Sequence, residues 1–573
     1  MKGWSFLRAN LETMDVCEES MPIKWNGLGG RSLTSRVIGE KLPPTCNPLG
    51  QENLLVFATG ILAGCGASSS DRLSVGGKSP LTGGIKESNV GGKAGQAFAR
   101  LGIRCLIFSG SASTWKIAHI SKDGIRFEVA DDLVGLEIYE ATSRLRQKYG
   151  KNAAILTIGP AGEMLLAAAN IGVGDMEGIP ARHAGRGGMG AVMGSKRLKA
   201  IVVDPTGGEP PAFFDSEALV AANRNFSKAL LAHPVTGKSM PIYGTSASIN
   251  TINTLGGLPT RNFSEGSFEF AERISGEALH DLILERDGKT THGCMPGCVV
   301  RCSNVLPSEN GQELTRAFEY ESIVLLGSNC GISDLDAIGC LNHRCDELGL
   351  DTMEIGVAIG VAMEAGLASF GDAEAALKLV NEVATGSALG RVLGSGAAVT
   401  GKVFGVSRVP VVMGQAISAY DPRSLKGTGV TYATSPMGAD HTAGNALPGS
   451  TLPDGTRPDP AQSENQVRLS RYLQHLAMTF DSLGLCWFTR GPILADPSLL
   501  MDILHAHYGG SWNMEKLLEQ AGEALQVELA FNRAAGLGDQ HDLPYFFRTE
   551  PLGMQGRVFD VPIQEMNQTL KRS

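Results

Sequence analysis

Four cysteines of this chain have a spacing that suits a metal site. They are Cys294, Cys298, Cys302 and Cys486. Pro296 removes an amide donor and Gly297 weakens a helix, so we expect the first three cysteines in a loop that wraps a ligand, not on one helix face. Four thiolates suit either a zinc ion or an iron–sulfur cluster. The spacing therefore predicts a metal centre and leaves both identities open.

The composition is that of a large, mildly acidic chain. Its 573 residues exceed what one core usually organises, so we expect about two to four domains. The 50 basic and 59 acidic residues give a net charge of −9, which disfavours nucleic acid and anionic membranes as partners. Charge breaks up the N-terminal segment and no apolar run could span a bilayer, so the expected location is the cytoplasm. The odd count of 11 cysteines argues against a disulfide framework.

Short apolar runs bounded by glycine predict strands in the N-terminal third. They cover 54–60, 105–110, 116–120, 154–159 and 199–204. Runs of this length with β-branched side chains between turns are typical of strands. A turn-forming cluster at 205–212 separates this part from the rest of the chain. We predict a β-rich N-terminal domain over 1–205.

From residue 216 the apolar pattern changes to helical periodicity. The clearest predicted helices cover 216–231, 333–348, 352–368 and 373–385. Apolar residues recur there at intervals of three and four residues, and Ala, Leu and Met favour helix. A stretch rich in glycine and proline at 401–422 indicates a second boundary. The predicted fold class is α+β, with two mainly helical domains over 206–415 and 416–573 after the β-rich one.

One short motif occurs twice in the helical part. Asp346-Glu-Leu-Gly-Leu-Asp351 and Asp481-Ser-Leu-Gly-Leu-Cys486 share the form Asp-x-x-Gly-Leu-Asp/Cys. Each comes after a predicted helix, so Gly349 and Gly484 should end that helix in the left-handed conformation. One copy alone would be an ordinary helix cap. Two copies, one of them carrying the fourth cysteine, predict two similar loops that hold two similar halves of a ligand.

Two glycine-rich loops of the N-terminal domain also carry basic residues. The loop over 71–84 contains Arg72 and Lys78, and the loop over 184–196 contains Arg186 and Lys196. Bare backbone amides with fixed positive charge suit phosphate oxygens. Neither loop has the Walker pattern or a dinucleotide-binding fingerprint. The two loops predict a phosphate-binding site.

Taken together, these motifs resemble the tungsten-containing aldehyde:ferredoxin oxidoreductase family. The matching segments are 72–84, 88–92, 185–196, the cysteine loop, both Asp-x-x-Gly-Leu motifs, 318–322, 438–442 and 542–551. They occur in the family's order and cover nearly the whole chain.

The resemblance implies two redox cofactors at the interface of the domains. One is a [4Fe-4S] cluster on the four cysteines. The other is tungsten, or less often molybdenum, held by the dithiolene sulfurs of two pterins whose phosphates a magnesium ion bridges. Arg72 and Arg186 would face the phosphates, Asn89 and Gly187 would offer backbone oxygens, and the carboxylates of Asp346, Asp351 and Asp481 would accept hydrogen bonds from the rings. The further implied contacts are Val90, Gly91, Gly188, Gly349, Leu350, Gly484 and Leu485.

Two catalytic residues are also implied by the resemblance. Glu321 and His441 match residues that line the family's substrate pocket. A carboxylate there can move protons to and from attacking water, and an imidazole can donate a hydrogen bond to the carbonyl oxygen. The implied reaction oxidises an aldehyde to its carboxylic acid. The electrons would pass through tungsten and the cluster to ferredoxin or an iron–sulfur subunit.

This chain departs from the family's pattern at two places. The family's cysteine loop reads C-x-x-C-x-x-x-C, and the gap after Cys294 is one residue longer here. Some members bind an iron between two subunits through Glu-x-x-His, where this chain has Cys340-Leu-Asn-His343. We therefore expect no bridging iron, while a homodimer or a hetero-oligomer stays open.

Two other functions fit the same residues. One is a benzoyl-CoA-reductase-like catalytic subunit that acts on an aryl-CoA, because that enzyme resembles the family and carries the same cofactors. The other is a non-catalytic iron–sulfur or zinc protein, which needs only the four cysteines.

Overall fold

The computed structural model describes residues 4–209, 212–538, 542–554 and 556–571. The first three residues and 210–211 of the predicted turn cluster lie outside the described residues. Within the described ranges the chain has a β-rich N-terminal part and then mainly helical parts. The predicted α+β fold class is confirmed.

The N-terminal part contains two six-stranded sheets. The first sheet consists of β1 Ser5–Asn10, β2 Val16–Glu19, β3 Leu55–Thr59, β4 Leu73–Lys78, β5 Ile85–Val90 and β6 Ile103–Ser109. The second consists of β7 Lys116–Ser121, β8 Gly124–Val129, β9 Ala154–Thr157, β10 Ile171–Val173, β11 Arg182–Ala184 and β12 Leu198–Val203. An apolar core lies between the sheets and draws side chains from both.

The two sheets have the same topology. The strand order across the first sheet is β2-β1-β6-β3-β4-β5. Across the second sheet, read from the matching edge, it is β8-β7-β12-β9-β10-β11, so each strand has the same neighbours as its counterpart six strands earlier. Each sheet contains one parallel pair, β1 with β6 and β7 with β12, and its other pairs are antiparallel. The associated helices are α1 Gly30–Lys41, α2 Ala94–Arg100, α3 Ile138–Tyr149, α4 Pro160–Glu163 and α5 Met189–Ser195. Helices α1 and α3 precede the third strand of their sheets, and α2 and α5 precede the sixth. The N-terminal part is therefore a structural duplication, a first half built on β1–β6 and a second half on β7–β12.

All five predicted strands are confirmed, with ends shifted by at most two residues. The two predicted glycine loops are wrong in part, because 73–78 is strand β4 and 189–195 is helix α5. Glycine serves close packing there. A Cβ on Gly76 would lie 2.7 Å from Cβ of Thr34 on α1, so the strand needs glycine for the helix to approach.

The helical parts contain seventeen helices among the described residues. They are α6 Ser216–Ala232, α7 Met240–Tyr243, α8 Ile249–Thr254, α9 Gly276–Glu285, α10 Tyr320–Leu326, α11 Leu335–Leu348, α12 Thr352–Glu364, α13 Ala373–Thr385, α14 Ala388–Gly394, α15 Ala397–Phe404, α16 Lys426–Thr434, α17 Gln466–Leu483, α18 Arg490–Ala495, α19 Ser498–Tyr508, α20 Met514–Ala534, α21 Phe546–Thr549 and α22 Ile563–Met566. A π-helical turn spans Val235–Ser239, and 3₁₀ turns include His441–Ala443 and Trp487–Thr489.

Five short strands interrupt the helical parts. They are β13 Lys289–His292, β14 Ser303–Pro307, β15 Glu313–Arg316, β16 Val411–Val412 and β17 Gln415–Ala416. Strands β13 and β14 form an antiparallel hairpin, and the segment between them carries three of the four cysteines. This segment contains turns and no helix, as Pro296 and Gly297 predict.

The predicted helices agree with the structure to within two residues, except at one end. Helix α12 stops at Glu364, four residues before the predicted end, because Gly366 adopts a left-handed φ of 83° and turns the chain. The predicted second boundary at 401–422 begins inside α15, which ends only where Gly405 turns left-handed at φ 69°. Among the described residues no single helix is both long and apolar enough to cross a membrane; α10 through Cys330 and α11 pass that test only as a pair bent by 116°.

Helices α11 and α17 end in the same way. Gly349 and Gly484 have φ values of 75° and 76°, which confirms the predicted left-handed caps. The residue after each glycine donates its N–H to a carbonyl five residues earlier, Leu350 to Cys345 and Leu485 to Phe480, both at 2.9 Å. The two caps are therefore the same Schellman-type turn.

Each cap contacts the corresponding half of the N-terminal part. Arg72 N–H, just before β4, donates to Gly484 O at 3.0 Å, and Asn170 N–H, just before β10, donates to Gly349 O at 2.8 Å. A Cβ on Gly60, after β3, would lie 2.4 Å from Leu483 O; one on Gly159, shortly after β9, would lie 2.4 Å from Leu348 O. Each half thus provides an equivalent docking position for one helix cap, which we call a seat. One Asp-x-x-Gly-Leu motif occupies each seat.

Candidate active site and metal centre

Several buried polar atoms near the centre of the molecule have no hydrogen-bond partner among the described residues. They are Glu321 Oε1, Ser418 Oγ, Tyr432 OH, His441 Nδ1, Asn445 Oδ1 and Asp481 Oδ2. Buried polar atoms in native proteins are nearly always paired, so a group of orphans indicates a place where a polar ligand binds. The surrounding side chains decide which ligand fits.

The cysteine loop brings its thiols together with Cys486. Ser69 connects them, because its hydroxyl donates to Cys298 Sγ at 3.5 Å while its carbonyl accepts from Cys486 N–H at 2.9 Å. Cys486 also lies within electrostatic reach of Cys298 and Cys302. A hydrogen bond from Cys294 lowers the pKa of Cys298 to about 5. Cys298 therefore favours the thiolate, which is the form that binds metals, whereas burial raises the pKa of Cys302 and Cys486.

A cation lies close to these sulfurs. The guanidinium of Arg182 is buried, and its charge interacts with Cys294 and Cys302. It pairs with Glu319 at 3.5 Å and also bonds Ser303 Oγ. A fixed positive charge beside several thiolates offsets their mutual repulsion. Among the described residues, no three His, Cys, Asp or Glu side chains are close enough together to hold a single metal ion.

Arg72 connects the cysteine loop with the first half of the N-terminal part. Its Nη2 donates to Asn89 O at 3.1 Å, and its Nε bonds the side-chain oxygen of the same residue. A Cβ on Gly91 would lie 3.6 Å from Cys294 Sγ and 3.7 Å from Arg72 Nη1. Both are ordinary contact distances, so the chain at Gly91 lies directly beside the thiol and the guanidinium. Val90 points the other way, into the core between the sheets.

Arg186 has the same place in the second half. It pairs with Asp351 at 3.2 Å and donates to the carbonyls of Ala439 and Ala416, each at 2.7 Å. Glu354 Oε2 lies 3.7 Å from its Nη2. Burial raises the pKa of Glu354 to about 7. Arg186 thus joins the β-rich part to the helical parts at one buried point.

The two glycines after Arg186 allow close approach. Gly187 and Gly188 have φ values of 81° and 77°. A Cβ on Gly187 would lie 2.4 Å from Lys86 Cγ, and one on Gly188 would lie 2.6 Å from Ala167 O. The carbonyl of Gly187 accepts from Ser79 Oγ at 2.7 Å. Like Asn89 O, it already has one donor, and a carbonyl oxygen has a second lone pair to offer.

The remaining basic residues of the predicted loops serve the fold. Lys78 Nζ donates to Cys46 O at 2.8 Å, and Lys196 Nζ bonds Asn53 O. Both lysines are buried. Their charges are engaged with main-chain carbonyls, so the prediction that they cradle a phosphate is wrong.

The first aspartates of the two motifs have different partners. Asp346 lies 3.1 Å from His183 Nε2 and accepts from Asn342 Nδ2 at 3.1 Å. Asp481 lies 3.6 Å from Arg31 Nη1, and its Oδ2 is one of the orphaned atoms. Burial, together with the nearby Glu87 carboxyl, raises the pKa of Asp481 well above its usual range. Asp481 is thus able to carry a proton or to accept from a ligand N–H.

Glu321 is held by one oxygen and leaves the other free. Helix α10 carries it, and its Oε2 accepts from Ala419 N–H at 2.8 Å while Oε1 is orphaned. Burial raises its pKa to about 8, and the Arg186 charge only partly offsets this. A carboxyl with such a pKa exchanges protons near neutral pH, which suits general acid–base catalysis.

His441 lies beside a buried ion pair. Burial lowers its pKa to about 4, so the imidazole is neutral. Its neighbour Asp440 pairs with the buried Lys86, and although burial alone would raise the pKa of Asp440, the charges of Lys86 and Arg186 hold it well below its usual range. His441 Nδ1 lies 3.6 Å from Asp440 Oδ1 and lacks a hydrogen bond. Its side chain is 27% accessible.

Two sequence models of one family together match almost the whole chain. They are described as the N-terminal domain of aldehyde ferredoxin oxidoreductase, which matches 6–205, and as domains 2 and 3 of the same protein, which match 221–572. The chain belongs to the aldehyde ferredoxin oxidoreductase family.

Curated proteins are similar to the chain over most of its length. A tungsten-containing aldehyde ferredoxin oxidoreductase of Pyrococcus furiosus is 34% identical over 96% of this chain and 91% of its own. One from Thermococcus kodakarensis is 34% identical over the same shares. The WOR-like subunit of an aliphatic sulfonate oxidoreductase of Pyrococcus furiosus is 28% identical over 77% of this chain and 74% of its own.

A solved structure has the same fold. The active site complex BamBC of benzoyl coenzyme A reductase, bound to 1,5-dienoyl-CoA, matches with a TM-score of 0.76 at 19% identity. The match covers 93% of this chain and 89% of that one. At 19% identity this likeness shows that the two chains share a fold, and it says nothing about the substrate of the present chain.

Sequence reasoning about this family member missed four site residues. They are Arg31, Lys86, Arg182 and Glu354. Each has a largely buried side chain, and its partner lies far away in sequence: Glu528 for Arg31, Asp440 for Lys86, Glu319 for Arg182 and Arg186 for Glu354. A charged residue inside an otherwise buried strand or helix was the available signal, because charges are rarely buried without a partner.

Proposed function

We propose that this chain oxidises an aldehyde to a carboxylic acid at a tungsten centre held by two pterins. The electrons leave through a [4Fe-4S] cluster to ferredoxin or another iron–sulfur protein. The main support for this proposal is Glu321, a buried carboxyl with one hydrogen-bonded oxygen, one free oxygen and a pKa of about 8. The names of the curated relatives support tungsten and an aldehyde.

The bound tungsten would supply a Lewis acid and a two-electron acceptor. Oxidation of an aldehyde consumes one water and releases two protons and two electrons. In its ionised form Glu321 takes a proton from the attacking water through Oε1, while the Ala419 N–H keeps the carboxylate in position. Since the pKa is close to the working pH, the same group can release that proton afterwards.

His441 is proposed to bind the aldehyde oxygen. With a pKa of about 4 the imidazole stays neutral and offers one ring N–H. A hydrogen bond to the carbonyl oxygen would strengthen as negative charge develops there. Asp440, held by Lys86, lies on the Nδ1 side of the ring at 3.6 Å.

The cofactor sites we propose correspond to the two seats of the duplicated domain. Arg72 and Arg186 would neutralise the pterin phosphates, and Asn89 O and Gly187 O would reach a bridging magnesium ion. Asp346, Asp351 and Asp481 would accept from the pterin rings beside the Gly349-Leu350 and Gly484-Leu485 turns. Cys294, Cys298, Cys302 and Cys486 would bind the cluster, and a longer gap after Cys294 is compatible with this because Gly297 takes a left-handed turn at φ 72°.

Anaerobic purification with subsequent metal analysis and substrate screening tests the proposal. We expect tungsten, or molybdenum, and about four irons per chain, with dye reduction that depends on an aldehyde. Zinc without tungsten, molybdenum or iron would contradict the enzyme. Turnover of aryl-CoA esters without turnover of aldehydes would assign the chain to the benzoyl-CoA-reductase type instead.

A further inference from the structure

We propose that the surface around the cysteine loop docks an acidic iron–sulfur protein, which takes up electrons one at a time. The proposal rests on the proposed function, since it concerns where that function's electrons leave. Each aldehyde releases two electrons, so two oxidised one-electron partners would be reduced in turn. We call this surface the exit face. It comprises α6, the turn and helix over 235–243, the cysteine loop and Trp487.

The cysteine loop reaches the outside of the protein here. Cys294 is buried, whereas Cys298 and Cys302 are partly exposed, and Gly297 and Arg301 between and beside them are exposed. Arg301 has a left-handed φ of 48°, a conformation that an arginine rarely adopts. A redox group on these sulfurs would lie close to solvent, where a partner could approach.

Three segments meet at the exit face. Met240 packs in one apolar cluster with Cys298, Val299 and Trp487. Thr291 Oγ1, just before the cysteine loop, donates to Pro241 O at 2.9 Å. On the other side, Asn223 Nδ2 of α6 donates at 2.9 Å to Cys65 O, in the segment that leads to Ser69 and the thiols. The surface is therefore continuous around the loop.

Apart from Glu217 at the start of α6, the sequence of these segments contains no acidic residue. Neither Asp nor Glu occurs in 218–264, 288–308 or 482–495, although the whole chain has 59 acidic residues and a net charge of −9. Two carboxylates near these segments have partners: Glu319 pairs with Arg182 at 3.5 Å, and Asp281 lies 2.9 Å from His280 Nδ1. The exit face is thus a basic area on an acidic protein.

Four cations give the exit face its charge. They are Arg224, Lys228, Lys238 and Arg301, all exposed. None of them forms an ion pair with another residue of the described ranges, whereas many other arginines and lysines of the chain do. Unpaired surface charges of one sign attract a partner of the opposite sign and speed its association.

The segments that carry these cations also expose apolar side chains. Leu231, Val235 and Ile242 are exposed by 55%, 45% and 42%, and Trp487, which comes directly after Cys486, is half-buried. Apolar patches with a charged rim are typical of protein interfaces. A small protein with acidic residues around its own redox centre fits both features.

Binding of a small acidic [4Fe-4S] ferredoxin, measured as Kd by biolayer interferometry on the holoenzyme, tests the exit face. The variant Arg224→Glu/Lys228→Glu/Lys238→Glu changes only residues outside the cysteine loop. We expect its Kd to rise at least about tenfold relative to wild type, because three attractive charges become repulsive. We also expect the wild-type Kd, and not the variant's, to rise steeply with salt.

A matched variant and a second measurement keep the test decisive. Lys122→Glu/Lys402→Glu reverses two exposed lysines elsewhere, and its Kd should equal that of wild type. Arg301→Glu should raise the Kd as well, with iron content checked by analysis. Equal Kd values for the triple variant and wild type would overturn the proposal. So would a change of mass in light scattering on reversing these charges, which would assign the face to a second copy of this chain.

The proposed function can fail independently. Aldehyde-dependent reduction of a viologen dye needs no docked protein, so the triple variant should keep the wild-type rate. If wild type reduces no dye with any aldehyde, the proposed reaction is wrong. If wild type reduces the dye and the triple variant still binds the ferredoxin as tightly, only the exit face is wrong.

Discussion

The two halves of the N-terminal part hold the same helix cap in the same way, yet the residues beside each cap differ. Arg72 and Asn170 occupy equivalent positions before the fourth strand of their sheets, and each donates to the cap glycine. After the cap, the first half meets Cys486 and the second half meets Asp351. One seat thus faces the thiols, and the other faces Arg186 and the catalytic candidates.

This difference shows how one duplicated scaffold can serve two tasks. Backbone hydrogen bonds define each seat, and they do not depend on side chains. The side chain after the Gly-Leu pair is therefore free to be a thiolate on one side and a helix-capping carboxylate on the other. Asp351 indeed caps α12 by accepting from Met353 N–H at 3.0 Å.

The largest expected effects come from substituting Cys486 and Asp351, the last residues of the two motifs. Cys486→Ser should lower the iron content to background and abolish dye-linked aldehyde oxidation, while tungsten stays bound. Asp351→Asn should keep the iron and slow turnover about 10–100-fold, because it loosens Arg186. Metal analysis and steady-state rates check both. Loss of iron from Asp351→Asn would contradict the division of tasks between the seats.

The next effect tests the ion pairs that tie each half to the helices. Arg31 on α1 forms a buried two-bond pair with Glu528 on α20, at 3.0 and 2.8 Å. Glu528→Gln should cost about 3–5 kcal/mol, since a buried arginine loses its counter-charge. The corresponding tie of the second half, Arg344 with Glu137, is partly exposed at 20% and 36%, so Glu137→Gln should cost less than about 1 kcal/mol.

Thermal unfolding at one fixed scan rate compares these variants. Glu528→Gln should show a clearly lower apparent Tm, and Glu137→Gln should stay near wild type. Similar Tm values for the two variants would show that burial does not make the Arg31–Glu528 ion pair more stabilising than the Arg344–Glu137 pair.

A smaller and equal effect is expected at the two cap glycines. Gly484→Ala and Gly349→Ala should each cost about 1–3 kcal/mol, because a left-handed alanine is strained and its Cβ would meet backbone at 3.0 and 2.9 Å. Gly405→Ala is the control: Gly405 has a similar φ of 69° and open space around it. It should cost only the strain, about 1 kcal/mol. Unequal losses at the two caps would mean that the seats are not equivalent.

A further effect is the pH dependence of Glu321. Its pKa is raised to about 8, so the carboxyl holds a proton in the folded protein where the unfolded chain has lost it. Stability should therefore fall as pH rises from the usual glutamate pKa to about 8 and level off above. Glu321→Gln removes this loss, so its Tm advantage over wild type should grow between pH 5 and pH 8.5. A constant difference would show that the pKa is not raised.

Much of this arrangement could be predicted from local sequence. The Gly-Leu pairs after helical patterns predict both left-handed caps, and β-branched runs predict the strands that frame the seats. The turns of the cysteine loop are predicted by Pro296 and Gly297. The family resemblance, confirmed by comparison, supplies the site residues as predictions.

Two features could be recognised only in the folded chain. The duplication of the sheets is not visible in the sequence, because equivalent strands such as β4 and β10 share hydrogen-bond pattern and not residues. The buried pairs, such as Arg31 with Glu528, join residues nearly five hundred positions apart. Such contacts depend on tertiary packing, which local periodicity does not determine. The division of the helical part near residue 415 stays a prediction.

The most direct test of the account is aldehyde-dependent viologen reduction by wild type and Glu321→Gln, purified anaerobically and analysed for tungsten and iron. We predict equal metal contents and no aldehyde oxidation by Glu321→Gln, whereas wild type is active and its rate rises as pH increases through about 8. Activity of Glu321→Gln at the wild-type rate with full metal content would contradict the proposed role of Glu321 as the catalytic base.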